Sequence, residues 1–201
     1  MGQSISTKNV SDWDPCLTPI ADDMQGAPIN VHKLMAHNPA LLKAWWSFRN
    51  HSVNGGSLGS RSGELVILRV AVHLSAWYEW GSHVDRALRC GLSLIEIEAV
   101  LDRSIGPEWA TPDAALLCAV DDLIQTHQIS QPTLAKLETH FDTAQIMDVI
   151  AIHGMYVILG CMIKTWGLPL DDAVQERISG LSSEAAFETA ARSFHKFKHP
   201  D

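Results

Sequence analysis

Between positions 62 and 74 the chain places Leu65, Val66, Ile67, Leu68, Val70, Ala71, Val72 and Leu74 around a helical wheel with almost no polar side. A helix apolar on every side has to be covered on every side, so it belongs at the centre of a body built from other elements. The same stretch carries Glu64 and Arg69. Neither charge can be buried without a partner. They stand five residues apart, about 140° around the wheel, and so cannot answer each other. Arg69 and His73 share a face. Partners for these groups must come from elsewhere in the fold.

The elements around that helix also read as helical. A first helix covers about Val31 to Ala36. Asn38-Pro39 opens a second, with Asn38 as cap and Pro39 at the tolerated first position. Asn54-Gly55-Gly56-Ser57-Leu58-Gly59-Ser60 is a loop by composition. The central helix is followed by one over 77–90, stopped by Gly91. Ser93 and Glu96 form a capping-box pattern for a short helix to about Leu101. Further helices are expected from Thr111 to Gln128, from Ser130 to Phe141, and from Thr143 to Trp166 with Asp142 as cap and Gly167 as stop. No strand alternation or hairpin dipeptide competes, so the fold class is all-α. Residues 1–28 read as a loose arm, 29–169 as the helical domain, and 170–201 as a peripheral tail with weak helical signals.

Composition narrows the function. The chain has 201 residues, 46% hydrophobic, with a formal net charge of −8 and no useful basic run, which argues against nucleic acid. Cys16, Cys90, Cys118 and Cys161 are widely spaced and form no C-x-x-C pair, as expected of reduced thiols in the cytoplasm. Val149 to Ile163 is the longest apolar stretch, but His153 interrupts it and it is short for a bilayer, so no membrane span is expected. Gly2 and Ser6 fit a loose N-myristoylation pattern.

The chemistry concentrates in Tyr78-Glu79-Trp80-Gly81-Ser82-His83, fifteen residues beyond Glu64. Glu79, His83 and Arg86 fall at i, i+4 and i+7, one stripe of a helix. From spacing alone the plainer reading is a solvated row of ion pairs, worth a few tenths of a kcal/mol each. The sharper reading is that carboxylates and an imidazole pressed against apolar surface acquire shifted pKa values suited to proton transfer. Metal is a third reading, from Glu79 and His83 with His73 or His153. There is no H-E-x-x-H motif or duplicated E-x-x-H pair to support it, so no metal is expected.

Three motifs together resemble the carboxymuconolactone decarboxylase / alkylhydroperoxidase D-like family: Arg61-x-x-Glu64-Leu65-Val66-Ile67-Leu68-Arg69-Val70-Ala71, Tyr78-Glu79-Trp80-x-x-His83, and Gly91-Leu92-Ser93-x-x-Glu96-Ile97. The resemblance covers Pro39 to about Pro169 and implies an alkylhydroperoxidase D-like helical bundle assembled as a homo-oligomer, whether dimer, trimer or hexamer. Peroxidase members carry cysteines twelve and fifteen positions after the glutamate and a histidine at nineteen. Counted from Glu64, those places hold Ala76, Glu79 and His83. Both thiols are missing, which places the sequence beside the branch that works without a redox pair or cofactor. The resemblance implies an acid–base enzyme that decarboxylates or isomerises a small apolar or aromatic-derived keto or lactone acid. Glu64, Glu79 and His83 are the expected catalytic residues; Arg69, Tyr78, Trp80, His153 and Tyr156 are the candidates for substrate contact. For Arg69 a structural ion pair, and for His153 a satisfied core histidine, stand as the plainer alternatives. A scaffolding subunit on the same fold and a peroxidase-like oxidoreductase are the rival functions.

Overall fold

The computed structural model describes residues 5–182 and 184–195, and every regular element among them is helical. The acylation pattern at Gly2 lies outside the described residues, as does the chain from Lys196 onward. Segment 62–74 takes the central place its pattern demands. Helix α4 (Ser60–Leu74) is buried from Gly63 through His73, and α5 (Trp77–Arg89), α7 (Thr111–Thr126), α9 (Thr143–Trp166) and α11 (Glu184–His195) pack around it. Ser75, in the left-handed conformation at φ 50°, reverses the chain between α4 and α5. The two helices therefore lie against each other, and residues nineteen apart can meet.

The caps follow the sequence. Asn38 accepts from the Leu41 amide at 3.1 Å to start α3 (Pro39–Asn50). Ser93 and Glu96 complete a reciprocal capping box on α6 (Leu94–Ala99), and Asp142 does the same with Gln145 on α9. Helix α8 (Gln131–Leu137) stops four residues short of the expected end at Phe141.

The expected loop begins later than its composition suggests, because α3 passes directly into a π-helical turn, His51–Gly55. Buried Asp148 of α9 secures this join. Its carboxylate meets His51 Nε2 at 2.9 Å and accepts from the Ser57 amide at 2.7 Å. A Cβ at Gly56 would fall 2.9 Å from an Asp148 oxygen, so a larger residue would push that carboxylate off its partners.

Both chain ends contribute more to the core than their composition suggests. Helices α1 (Thr18–Asp23) and α2 (Asn30–Met35) belong to a segment that buries Trp13, Leu17, Ile20, Val31 and Leu34. The segment after Leu170 is not peripheral. Helix α10 (Asp172–Ile178) buries Val174 and Ile178. On α11, Phe187 packs at a tilt against Trp77 and Trp80, and Phe194 lies over Arg69. The apolar positions on α11 are few but share one face, so a polar average conceals an amphipathic helix.

Helix α9 is longer than its most apolar stretch, and by length and composition alone it could cross a membrane. Half of its most apolar window is buried against the other helices, as in a core helix. Its outer face exposes Met147, Ile150 and Ile158.

Candidate functional site

Glu64 and His83 converge. Glu64 lies in the second turn of α4, on the side facing α5, and its Oε2 stands 2.6 Å from His83 Nδ1. Its other oxygen accepts from Arg86 Nε at 3.0 Å. The far ring nitrogen, His83 Nε2, is 3.0 Å from the hydroxyl of Tyr156 on α9. Three helices thus supply one chain of hydrogen bonds, Glu64–His83–Tyr156. Glu64 accepts from the Nδ1 side of the ring, and the phenol and Nε2 share the second bond. Burial alone would raise the Glu64 carboxyl, but the charges and hydrogen bonds of His83 and Arg86 outweigh it and hold the carboxyl below its ordinary range. Burial, reinforced by Glu64, pushes the Tyr156 phenol up, so it keeps its proton.

Glu79 lines one cavity with His83 and Tyr156 but stands outside this chain of bonds, and Glu64 sits behind His83, off that cavity. Glu79 is 2% exposed, and neither of its carboxyl oxygens has a hydrogen-bond partner. Burial pushes it well above the ordinary carboxylate range, with only Lys164 opposing. The two carboxyls, Glu79 on the cavity and Glu64 behind His83, are therefore driven in opposite directions, Glu64 toward the anion and Glu79 toward the acid. Such a split separates proton donor from charged support.

Room for Glu79 comes from α9. A Cβ on Gly160 would stand 2.8 Å from Leu74 Cδ1 and 3.0 Å from Glu79 Oε2. Alanine normally gains about 1 kcal/mol over glycine inside a helix. Here Gly160→Ala is expected to lose stability by about 1–3 kcal/mol through crowding. Denaturant titration of the pair checks this, and a neutral or stabilising result would contradict the tight seat.

The buried acid also sets a pH dependence. A carboxyl whose folded pKa is raised keeps its proton in the native state where the unfolded chain has lost it, so stability declines as pH rises above the unfolded value near 4.5. Glu79→Gln removes this term. The variant should match wild type below about pH 4 and become the more stable above it, the gap widening by up to about 1.4 kcal/mol per pH unit until Glu79 itself ionises. Stability curves measured at pH 4, 6 and 8 test the sign. A gap that closes as pH rises would remove the buried-acid reading.

The cavity holding Glu79 has a volume of about 60 Å³. Of the expected substrate contacts, Tyr78 and Tyr156 line it, although the Tyr78 hydroxyl is engaged by Asp171 at 2.6 Å and by the Val31 amide at 3.2 Å. The other three are elsewhere. Arg69 is fully buried in a network with Asp121 and the carbonyls of Val100, Asp102 and Arg103, so the ion-pair alternative holds for it. Trp80 lies beneath α11, with its Nε1 donating to Ser182. His153 does not line the cavity; burial first, then His73 and His127, lower its pKa. A helix shows its neighbours different faces, and the one-dimensional reading grouped aromatic and imidazole residues without regard to face.

Sequence reasoning passed over His32, Arg49 and Ser82, which also line the cavity. Ser82 is adjacent to His83, and that adjacency is its one signal in the sequence. His32 and Arg49 come from α2 and α3, and nothing in their spacing connects them to α5. Arg86 was already visible as the i+7 member of the Glu79 stripe. Among the described residues, no group of three or more His, Cys, Asp or Glu side chains is placed to hold a metal ion.

Residues 39–116 match the family model for the carboxymuconolactone decarboxylase family. No curated protein matches. Several solved structures have the same fold. The alkylhydroperoxidase AhpD core of a peroxidase-related protein from Ralstonia eutropha JMP134 superposes with a TM-score of 0.73 at 16% identity, covering 87% of this chain and 95% of that one. A variant of the debrominase Bmp8 in complex with 2,3,4-tribromopyrrole gives 0.70 at 13% identity, over 90% and 97%. A protein of unknown function from Agrobacterium tumefaciens gives 0.62 at 19%, over 68% and 94%. At such identities the likeness is one of fold.

Proposed function

We propose that this chain, whose residues 39–116 match the family model for the carboxymuconolactone decarboxylase family, is an acid–base enzyme that needs no cofactor and decarboxylates, or isomerises, a small keto or lactone acid. The observation that carries this reading is the Glu79 carboxyl, sealed and unpartnered in the cavity that His83 also lines. A protein does not bury an unsatisfied acid for stability. In decarboxylation the bond from the α-carbon to the carboxylate breaks and CO₂ leaves. The electron pair passes into an enolate, and the Glu79 carboxyl delivers its proton to the α-carbon. Solvent then returns a proton to Glu79. In isomerisation the ionised form of the same group would take an α-proton and return it one carbon away. Glu64 fixes the His83 ring, and His83 with Tyr156 provides the polar wall against which enolate charge develops.

The polar lining favours an enzyme over a scaffold, whose corresponding space would be filled with apolar side chains. None of the four cysteines lines the cavity, which supports chemistry without sulfur. The homo-oligomer implied by the resemblance has an apolar surface available in the exposed Met147, Ile150 and Ile158. A screen of keto and lactone acids, read by CO₂ release and by deuterium uptake at the α-carbon, tests the function. Turnover surviving in both Glu79→Gln and His83→Ala would end this reading.

A further inference from the structure

The cavity holds more unanswered polar groups than an acid–base pair requires. Besides both Glu79 oxygens, His32 Nδ1 and Ser82 Oγ are buried without a partner, and both residues line the same space. Buried polar atoms in folded proteins are nearly always satisfied. Four orphaned atoms around one cavity describe the outline of a polar ligand.

Arg49 gives that ligand a sign. It lines the cavity from α3, its guanidinium 5.2 Å from the ring centroid of Trp46. Among the described residues it makes no ion pair, and its hydrogen bond from Nη1 goes to the neutral side chain of Asn50 at 2.9 Å. The nearby carboxylate, Asp23, instead accepts from Trp46 Nε1 at 2.8 Å and Asn50 Nδ2 at 3.5 Å. The other arginine at the cavity, Arg86, has its charge answered by Glu64. Burial and the field of Arg86 lower the Arg49 pKa against the opposing fields of Tyr156 and Asp23. Burial and the Arg49 charge also press His32 down to about 3, so His32 stays neutral and cannot serve as that counter-charge.

We propose that Arg49 is the anchor for a carboxylate that the substrate keeps through the reaction, and that the site takes small carboxylic acids bearing a carbonyl, the retained anionic end at Arg49 and the carbonyl end toward Ser82 and Glu79. This assignment rests on the acid–base reading of the site and adds to it the group that selects the substrate. Size agrees with it. About 60 Å³ holds roughly four to six water-sized groups, enough for a compact keto acid without rearrangement. A guanidinium gives a carboxylate a planar pair of donors, which a neutral amide of the same shape cannot exploit as well.

Pyruvate and its neutral amide, pyruvamide, serve as probes with the full-length chain, followed by isothermal titration in phosphate-free buffer. Wild type is expected to bind pyruvate and to bind pyruvamide at least 10-fold more weakly. Arg49→Gln should lower pyruvate affinity by about 10- to 100-fold, the range for a hydrogen bond to a charged group. Equal affinity of wild type for the two probes overturns the anchor, as does undiminished pyruvate binding in Arg49→Gln, or no binding of pyruvate to wild type at all. The comparison of probes on wild type decides the matter even if Arg49→Gln fails to fold. Failure here leaves turnover by Glu79 and His83 untouched, whereas turnover surviving in Glu79→Gln and His83→Ala removes the acid–base reading while the wild-type preference for pyruvate over pyruvamide stands.

Discussion

Arg69→Met is expected to cost about 3–5 kcal/mol, a large share of the roughly 5–15 kcal/mol that holds such a domain together. The side chain is completely buried, and three nitrogens of one guanidinium hold three parts of the fold. Nε and Nη2 grip the Asp121 carboxylate of α7 at 2.7 and 2.8 Å. Nη1 donates to the carbonyls of Val100 and Asp102 at 2.8 and 2.6 Å, and Nη2 to that of Arg103 at 3.2 Å. The Phe194 ring of α11 closes over it at 4.8 Å. Methionine fills much of the volume but leaves Asp121 with only His73, at 2.6 Å, and abandons three carbonyls. At about 2–4 °C per kcal/mol for a chain of this size, the melting temperature should fall by roughly 6–20 °C. Arg69→Lys keeps the charge without the planar fork and should recover only part of the loss. A loss below about 1 kcal/mol for Arg69→Met in denaturant titration would mean that the network merely occupies the core.

Arg69 also marks how far the sequence could be read. That it needed a partner from another element followed from its place in an all-apolar helix, and so did its shared face with His73; both now meet at Asp121. That the partner is Asp121 could not be read, because a helical wheel gives the direction of a side chain and not which helix lies opposite. The same limit separates the site residues. Glu64 and His83 belong to consecutive helices joined by a tight reversal, so their encounter follows from local order. Tyr156 was reachable through the apolar pattern of α9. Arg49 and His32 were not, since they enter from helices over thirty residues upstream of His83 with no periodic relation to it. The C-terminal helix hides its role for another reason. Its composition is polar on average, while its contribution depends on Phe187, Ala191 and Phe194 sharing one side.

The variants Glu79→Gln and His83→Ala are expected to lower turnover by about 10²–10⁴-fold, the usual contribution of a positioned acid or base. Their pH profiles should separate the two carboxyls. Glu79 acts in its acid form, and its raised pKa means that activity declines only when pH rises through that elevated value. Glu64 acts as the anion, and its lowered pKa means that activity declines as pH falls through that depressed value. The wild-type profile should therefore be a broad bell whose limbs belong to the coupled site. Glu64→Gln should disturb the acidic limb and leave the basic one in place. Gain and loss should also part company. Glu79→Gln removes a buried acid that weakens the fold near neutral pH, so this variant should gain stability while losing turnover, the trade expected of a group retained for chemistry. His83→Ala strands the Glu64 anion with Arg86 alone and should lose both. If Glu79→Gln keeps full turnover, or becomes less stable than wild type at pH 8, the acid is structural and the proton must come from another group.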